Sequence, residues 1–272
     1  MQKAVFFLLI SCFSNGLWSQ AKKDTLFIDG SNGVKPLVEA VAATFQKNYP
    51  DIKVIFGEGM STSARIEALQ AEEIDVAMAS HGLDIPRFTK QGLQVDWFAK
   101  MAIVIGVNKE VELKKITSQQ LCAIYDGTIT NWQTLGGENK PIQALARPSD
   151  EVDMEVLQEH LPCFSDVDER SFLQFHQKSG PLAQALSNTP GAIGMTAAVR
   201  QAQSEGKIKP LTVDGIKPKL KQVEKGKYPF TRNAYLIFKG TPDPVLKRFL
   251  MFFNSKTGQK ILKANYAVPI EK

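Results

Sequence analysis

Three short loops carry the residues in this chain best suited to chemistry with an anion. Residues 29–33 read DGSNG, residues 59–65 read GMSTSAR, and residues 147–150 read RPSD. The hydroxyls of Ser31, Ser61, Thr62, Ser63 and Ser149, the amide of Asn32 and the guanidinium of Arg147 are all hydrogen-bond donors. A buried oxyanion needs such donors, together with backbone N–H groups at helix N-termini and usually one arginine. A protonated oxyanion also needs an acceptor, which a carboxylate can supply. The chemistry indicated is binding. The three histidines, His81, His160 and His176, form no metal-ligand spacing with cysteines or carboxylates. No G-K-[ST] follows the glycines at 30 and 33, and no G-x-S-x-G elbow is present. No catalytic residue, no metal site and no cofactor is expected, and the chain is not expected to be an enzyme.

The elements around these loops alternate between strand and helix. Residues 25–28 (TLFI) form a short apolar strand ending at the first loop. Residues 34–47 place Val34, Leu37, Val38, Val41, Ala42 and Phe45 at spacings of three and four, one helical face. Residues 52–56 alternate as a strand, 64–70 read as a short helix, and 74–78 (IDVAM) as a third strand. Strands joined by helices in this order build a parallel sheet. In an open parallel sheet ligands sit beyond the carboxyl ends of the strands. Ser31 and Asn32, then Ser61, Thr62 and Ser63, then Asp75, Ser80 and His81 can therefore converge on one crevice. Two long β-rich runs, 98–108 and 228–239, are suited to carry the chain into a second lobe and back. Between them, helices are predicted over 118–125, 152–160 and 181–186, with strands over 142–146 and 192–196. Terminal helices are predicted over 244–253 and 256–265.

Bulk properties narrow the class. With 272 residues, 43% hydrophobic and 22% charged, the chain suits a packed protein of two lobes, and disorder is not expected. Residues 4–13 (AVFFLLISCF) follow Lys3 and precede small residues, as in a signal peptide spanning 1–21. A periplasmic, exported protein is expected. Residues 9–12 (LISC) also fit a lipobox, in which Cys12 would be lipidated. Export would leave Cys122 and Cys163 in an oxidising compartment; pairing and separate burial are both open. Net charge is +5, partly from a lysine-rich stretch at 207–227. Those lysines lack interleaved aromatics, so a solvated surface is expected and nucleic-acid binding is not.

Several segments resemble a known family. Residues 118–132 (SQQLCAIYDGTITNW), followed by Leu135-Gly136-Gly137, are similar to the second-lobe signature of the phosphate-binding proteins of ABC transporters, a helix ending in I-F-x-G-x-I-T-N-W and then L-G-G. Residues 190–195 (PGAIGM), 228–230 (YPF), 257–262 (TGQKIL) with Val268-Pro269, and the pieces Gly30-Ser31 and 75–80 (DVAMAS) match further family segments in order. The resemblance covers nearly the whole mature chain. It implies an α/β, two-lobed periplasmic-binding-protein fold with two crossover strands as its hinge. Lobe 1 would be residues 22–100 plus 229–272, and lobe 2 residues 101–228.

The same resemblance implies a phosphate site. Ser31, Thr62, Asp75 (as acceptor of the ligand's proton or as a structural acceptor under the loops) and Arg147 stand at family positions, with Asn32, Ser61, Ser63 and Ser149 beside them. Three departures matter. His81 replaces a family arginine, and Arg65 replaces a small residue, either reaching the ligand or facing solvent. Asp150, Glu151 and Asp153 replace the G-S-G-T that normally follows the arginine. Asp150 resembles an N-cap, with Asp153 placed loosely as in a capping box. A carboxylate about 4 Å from a bound anion costs roughly 4 kcal/mol at an effective dielectric of about 20, or roughly three decades of affinity. Either those side chains turn away or the ligand is not ordinary phosphate. The expected function is capture of a small anionic solute, phosphate by default, by a monomer that docks an ABC transporter permease. The alternative is a sensory or interaction protein that keeps the fold with a changed or lost ligand.

Overall fold

The computed structural model describes residues 24–80 and 82–271, so residues 1–21, expected to be a signal peptide, and Cys12 among them lie outside the described residues. The chain opens with β1 (Thr25–Gly30), α1 (Lys35–Asn48), β2 (Lys53–Phe56), α2 (Thr62–Gln70), β3 (Val76–Ser80) and α3 (Ile85–Lys90). The expected face of α1 is the buried one, and Phe45 meets the ring of Phe249 edge-on at 5.2 Å. β2, β1 and β3 are parallel, with Ile28 opposite Val76 and Gly30 opposite Met78. That register brings the carboxyl ends of β1 and β3 to the same edge of the sheet.

β4 (Leu93–Asn108) is the longest strand and crosses between two sheets. The second part of the chain then runs through β5 (Lys115–Ile116), α4 (Ser118–Tyr125), β6 (Gln143–Ala146), α5 (Val152–His160), β7 (Gln174–Phe175), α6 (Ser179–Asn188), β8 (Ala192–Ala197), α7 (Ala198–Gln203), β9 (Ile208–Pro210), β10 (Thr212–Val213) and α8 (Leu220–Glu224). β11 (Thr231–Lys239), α9 (Pro244–Phe253), α10 (Lys256–Ala264) and β12 (Ala267–Pro269) complete it. As far as Ala102, β4 pairs antiparallel with β11; from Ile103 onward it pairs with β8. β11 also pairs with β3, which ties the returning chain into the first sheet. In the second sheet β8 is parallel to β6, and β6 to β7.

The interior is divided in the same way. One apolar cluster holds Leu26, Phe45, Phe98, Phe249 and Phe253. Another holds Ile105, Tyr125, Trp132, Met154, Phe164 and Leu182. A mixed α/β, two-lobed architecture with β4 and β11 as crossovers is what the alternating pattern and the resemblance implied. Capping explains several sharp helix starts. Thr117 and Gln120 form a reciprocal capping box at α4, and Asp243 accepts from the N–H groups of Val245 and Leu246 at α9.

Cys122 on α4 is disulfide-bonded to Cys163, with Cα atoms 5.6 Å apart. This decides between the two readings left open for the cysteines. The lysine-rich stretch spans β9, β10 and α8, and Lys207, Lys217, Lys219, Lys221, Lys225 and Lys227 are all exposed. No helix among the described residues is long and apolar enough to cross a membrane.

Candidate functional site

A cleft of about 530 Å³ opens where the carboxyl ends of β1, β3 and β6 face one another. From the first lobe it is lined by Ser31, Asn32 and Gly33 after β1, by Gly59, Met60, Ser61 and Arg65 around the start of α2, and by Ser80. From the second lobe come Arg147 after β6, residues 150–153 at the start of α5, and Gln177, Lys178 and Ser179 at the start of α6. Arg232, on the crossover strand β11, completes the floor.

Four helix N-termini meet at this cleft. α2 is closed by its own N-cap, since Ser61 accepts from the N–H of Ala64. α1, α5 and α6 start at Val34, Glu151 and Lys178, none of which makes a side-chain cap hydrogen bond. At α5 and α6 such an N-terminus offers partial positive charge and N–H donors, a field suited to an anion; at α1 Val34 and Lys35 already donate to the Ser31 carbonyl and Pro36 has no N–H.

Three arginines are buried against the cleft. Arg65 donates to the carbonyls of Ser61 (3.2 Å) and Met78 (2.9 Å); burial pushes its pKa down, and Glu151 and Asp29 partly offset that. It therefore belongs to the cleft and not to the solvent face. Arg147 donates to the Gln177 carbonyl at 2.9 Å and pairs with Glu151 at 2.5 Å and Asp153 at 3.5 Å. Arg232 donates to Asp153 at 2.6 Å and to the Gly33 carbonyl at 3.0 Å. Gly33 must be glycine for this approach, because a Cβ there would collide with the Arg232 guanidinium. Arg200 stands behind, donating to the Asn32 carbonyl at 2.9 Å; burial, and then Arg232, lowers its pKa.

Three buried donors at the cleft have no hydrogen-bond partner among the described residues: Ser179 Oγ, Arg147 Nε and Arg232 Nε. Buried polar groups are normally satisfied, so such a set marks a place where another molecule supplies the acceptors. His176, nearby, has its pKa lowered by burial and by Arg147, which favours the neutral ring.

The charges lining the cleft balance. Arg65, Arg147, Lys178 and Arg232 face Asp150, Glu151, Asp153 and Glu155. The acidic loop thus does not turn away from the crevice, but Glu151 and Asp153 are paired with Arg147 and Arg232, a third outcome beside the two expected from the sequence. Nor does it cap α5 as expected: the N-cap is Glu151, one residue later than Asp150, and its carboxylate is drawn to Arg147. Asp153 is likewise drawn to the arginines by the strength of charged hydrogen bonds.

Of the residues expected at the site, Ser31, Asn32, Ser61 and Arg147 line the cleft. Asp75 does not. It precedes the amino end of β3, five residues before Ser80 and so about 16 Å from the ligand edge at about 3.3 Å per residue. There its carboxylate accepts from the N–H of Phe27. The buried acid at the correct end is Asp29, which accepts from the N–H groups of Gly30 and Gly59 and so shapes both loops. Ser149 also lies off the cleft, its N–H donating to Asp168. Ser63 is exposed beside Ser61, 3.3 Å between their hydroxyls, and the side chain of Thr62 falls outside the described set. Ser80 lines the cleft while its hydroxyl donates to the Asn233 carbonyl; His81 is outside the described residues. Arg232 and Ser179 were not foreseen. The Ser-Gly-Pro at 179–181, a helix-start pattern, was the available signal for the second.

The family described as the PBP superfamily domain matches residues 19–257. The chain belongs to that superfamily. Among curated proteins it is 29% identical over 241 residues to the phosphate-binding protein PstS of Bacillus subtilis, covering 87% of this chain and 77% of that protein. It is 24% identical over 272 residues to PstS of Borreliella burgdorferi, covering 97% of each. A crystallised protein from Clostridium perfringens, described as a phosphate ABC transporter substrate-binding protein with bound phosphate, superposes with a TM-score of 0.78 at 25% identity, covering 91% of this chain and all of that one. Membership in the superfamily agrees with the two-lobed fold.

Proposed function

We propose that this protein captures phosphate, or a closely related tetrahedral oxyanion, outside the cytoplasmic membrane and presents it to the permease of an ABC transporter. One observation carries the reading: Ser179 Oγ, Arg147 Nε and Arg232 Nε are buried donors without a partner among the described residues, and they lie in a cleft that also receives three helix N-termini without side-chain caps. Similarity to proteins named for phosphate binding supports the choice of ligand. Binding then needs no bond-making step. Residues 22–100 plus 229–272 act as one lobe and 101–228 as the other, closing about β4 and β11. Lys178, whose ammonium reaches the Glu58 carbonyl at 3.4 Å, is placed to help hold the closed form. The protein works as a monomer.

Thermal melting with a panel of anions tests this. A ligand at about a thousand times its Kd stabilises the folded state by about 4 kcal/mol. Phosphate should raise the melting temperature well above equal concentrations of chloride or sulfate. No shift with phosphate, alongside a shift with another class of solute, would replace the ligand. The balanced lining charge favours one second reading, a ligand carrying a cationic as well as an anionic group, and aminoalkyl phosphonates belong in the same panel for that reason.

A further inference from the structure

Asp153 is 2% exposed and stands between two guanidiniums that are themselves buried, Arg147 and Arg232. Its two carboxylate oxygens are divided between them: Oδ1 accepts from Arg232 at 2.6 Å and Oδ2 from Arg147 at 3.5 Å. Both arginines line the cleft, and both also hold a backbone carbonyl, of Gly33 and of Gln177. Two guanidiniums at this depth require a counter-charge, because burying an unpaired ion is costly. The first turn of α5 supplies it at a position where the helix dipole also favours a carboxylate.

We propose that Asp153 is a built-in counter-anion that competes with the solute for Arg147 and Arg232 and thereby sets the affinity of the site. The inference rests on the oxyanion-binding reading above. An anion entering the cleft meets guanidiniums already neutralised by Asp153 and, at Arg147, by Glu151 as well. It must share or displace those carboxylates while being repelled by them. The site is thus kept organised by its own acid and holds its solute loosely enough to release it. Arg232 is central because it touches Gly33 of the first lobe and Asp153 of the second, so any exchange of partner at its guanidinium is felt across the cleft.

The test is calorimetric titration of inorganic phosphate into the protein and its D153N variant, with melting curves for both. Asparagine keeps the shape and removes the charge. Phosphate should bind D153N at least tenfold more tightly. Without phosphate the variant should melt lower than the parent, yet gain more in melting temperature when phosphate is added. A residue that merely supports the fold would lower both. Should D153N fail to fold, E151Q gives the same reading at Arg147, since the Glu151 side chain is 37% exposed and not part of the core; a smaller tightening is expected there. If the parent binds phosphate and the neutral variants bind it equally or more weakly, the counter-anion role is wrong while the oxyanion reading stands. If neither parent nor variant binds phosphate, the oxyanion reading itself fails and this inference with it.

Discussion

Arg232 and Asp153 form a 2.6 Å ion pair across the floor of the cleft, each side chain nearly sealed from solvent. A buried pair of this kind is a poor source of net stability, but removing one partner leaves the other charge stranded. The R232M variant should therefore lose roughly 3–5 kcal/mol of folding stability in denaturant titration. It should also bind phosphate more weakly by about 1.5–3 kcal/mol, the worth of a hydrogen bond to a charged group. Adding D153N to R232M should restore much of the stability, because the carboxylate left with only the 3.5 Å contact to Arg147 is gone. No recovery would mean that Arg232 stabilises through its bond to Gly33 and its packing.

Ser179 makes the opposite prediction. Its hydroxyl is buried and has no partner among the described residues, so the S179A variant loses no internal hydrogen bond. Stability without phosphate should be unchanged within about 0.5 kcal/mol. Phosphate affinity should fall roughly 10- to 100-fold, as expected when a hydrogen bond to an anion is removed. Equal affinity in parent and variant would remove Ser179 from the site.

The first sheet and the cleft were legible to different depths. Strand–helix alternation, the face of α1 and the limits of α4, α5 and α9 follow from apolar spacing, and these elements lie where that spacing puts them. Short elements such as α3, β7 and α8 carry too few apolar positions for a period to show. Ser31 was found because it sits at a strand end beside small residues, and Arg147 because it stands at the ligand arginine's position in the family resemblance. Arg232 sits inside a β-rich run, and only the pairing of β11 with β4 and β3 brings it under residue 33. Asp75 was misplaced because a motif match does not reveal which end of a strand faces the ligand. Asp29, at the carboxyl end of β1, holds the loops through Gly30 and Gly59 instead.

The disulfide closes a 41-residue separation in the second lobe. Chain-entropy arguments assign a loop of that length about 4 kcal/mol. The C122S/C163S double variant should therefore melt roughly 10 °C lower, at about 2–4 °C per kcal/mol for a chain of this size. Phosphate affinity at 25 °C should be unaffected, since neither cysteine lines the cleft. A change in affinity without a change in melting temperature would point to a role for the disulfide in shaping the site.

Two buried tyrosines give an alkaline signature. Tyr125 donates to the Leu145 carbonyl and Tyr228 to the Ile103 carbonyl, and burial pushes the pKa of both far above the usual value of 10.0. Folded pKa values above the unfolded one mean that this stability is fully present below pH 10 and is lost as pH rises beyond it, because only the unfolded chain ionises there. Denaturant midpoints should thus fall with pH above about 10. In Y125F and Y228F the fall should be less steep, at the cost of about 1 kcal/mol from the lost hydrogen bond at neutral pH. An identical slope in parent and variants would assign the alkaline loss to other groups.

The central claim is that the cleft between β1, β3 and β6 is an oxyanion site, and calorimetric titration of the protein with inorganic phosphate, run beside R147M, tests it most directly. The account predicts saturable one-to-one binding to the parent, and binding at least tenfold weaker to R147M. Absence of saturable heat with phosphate in large excess, or equal binding to both proteins, would contradict it.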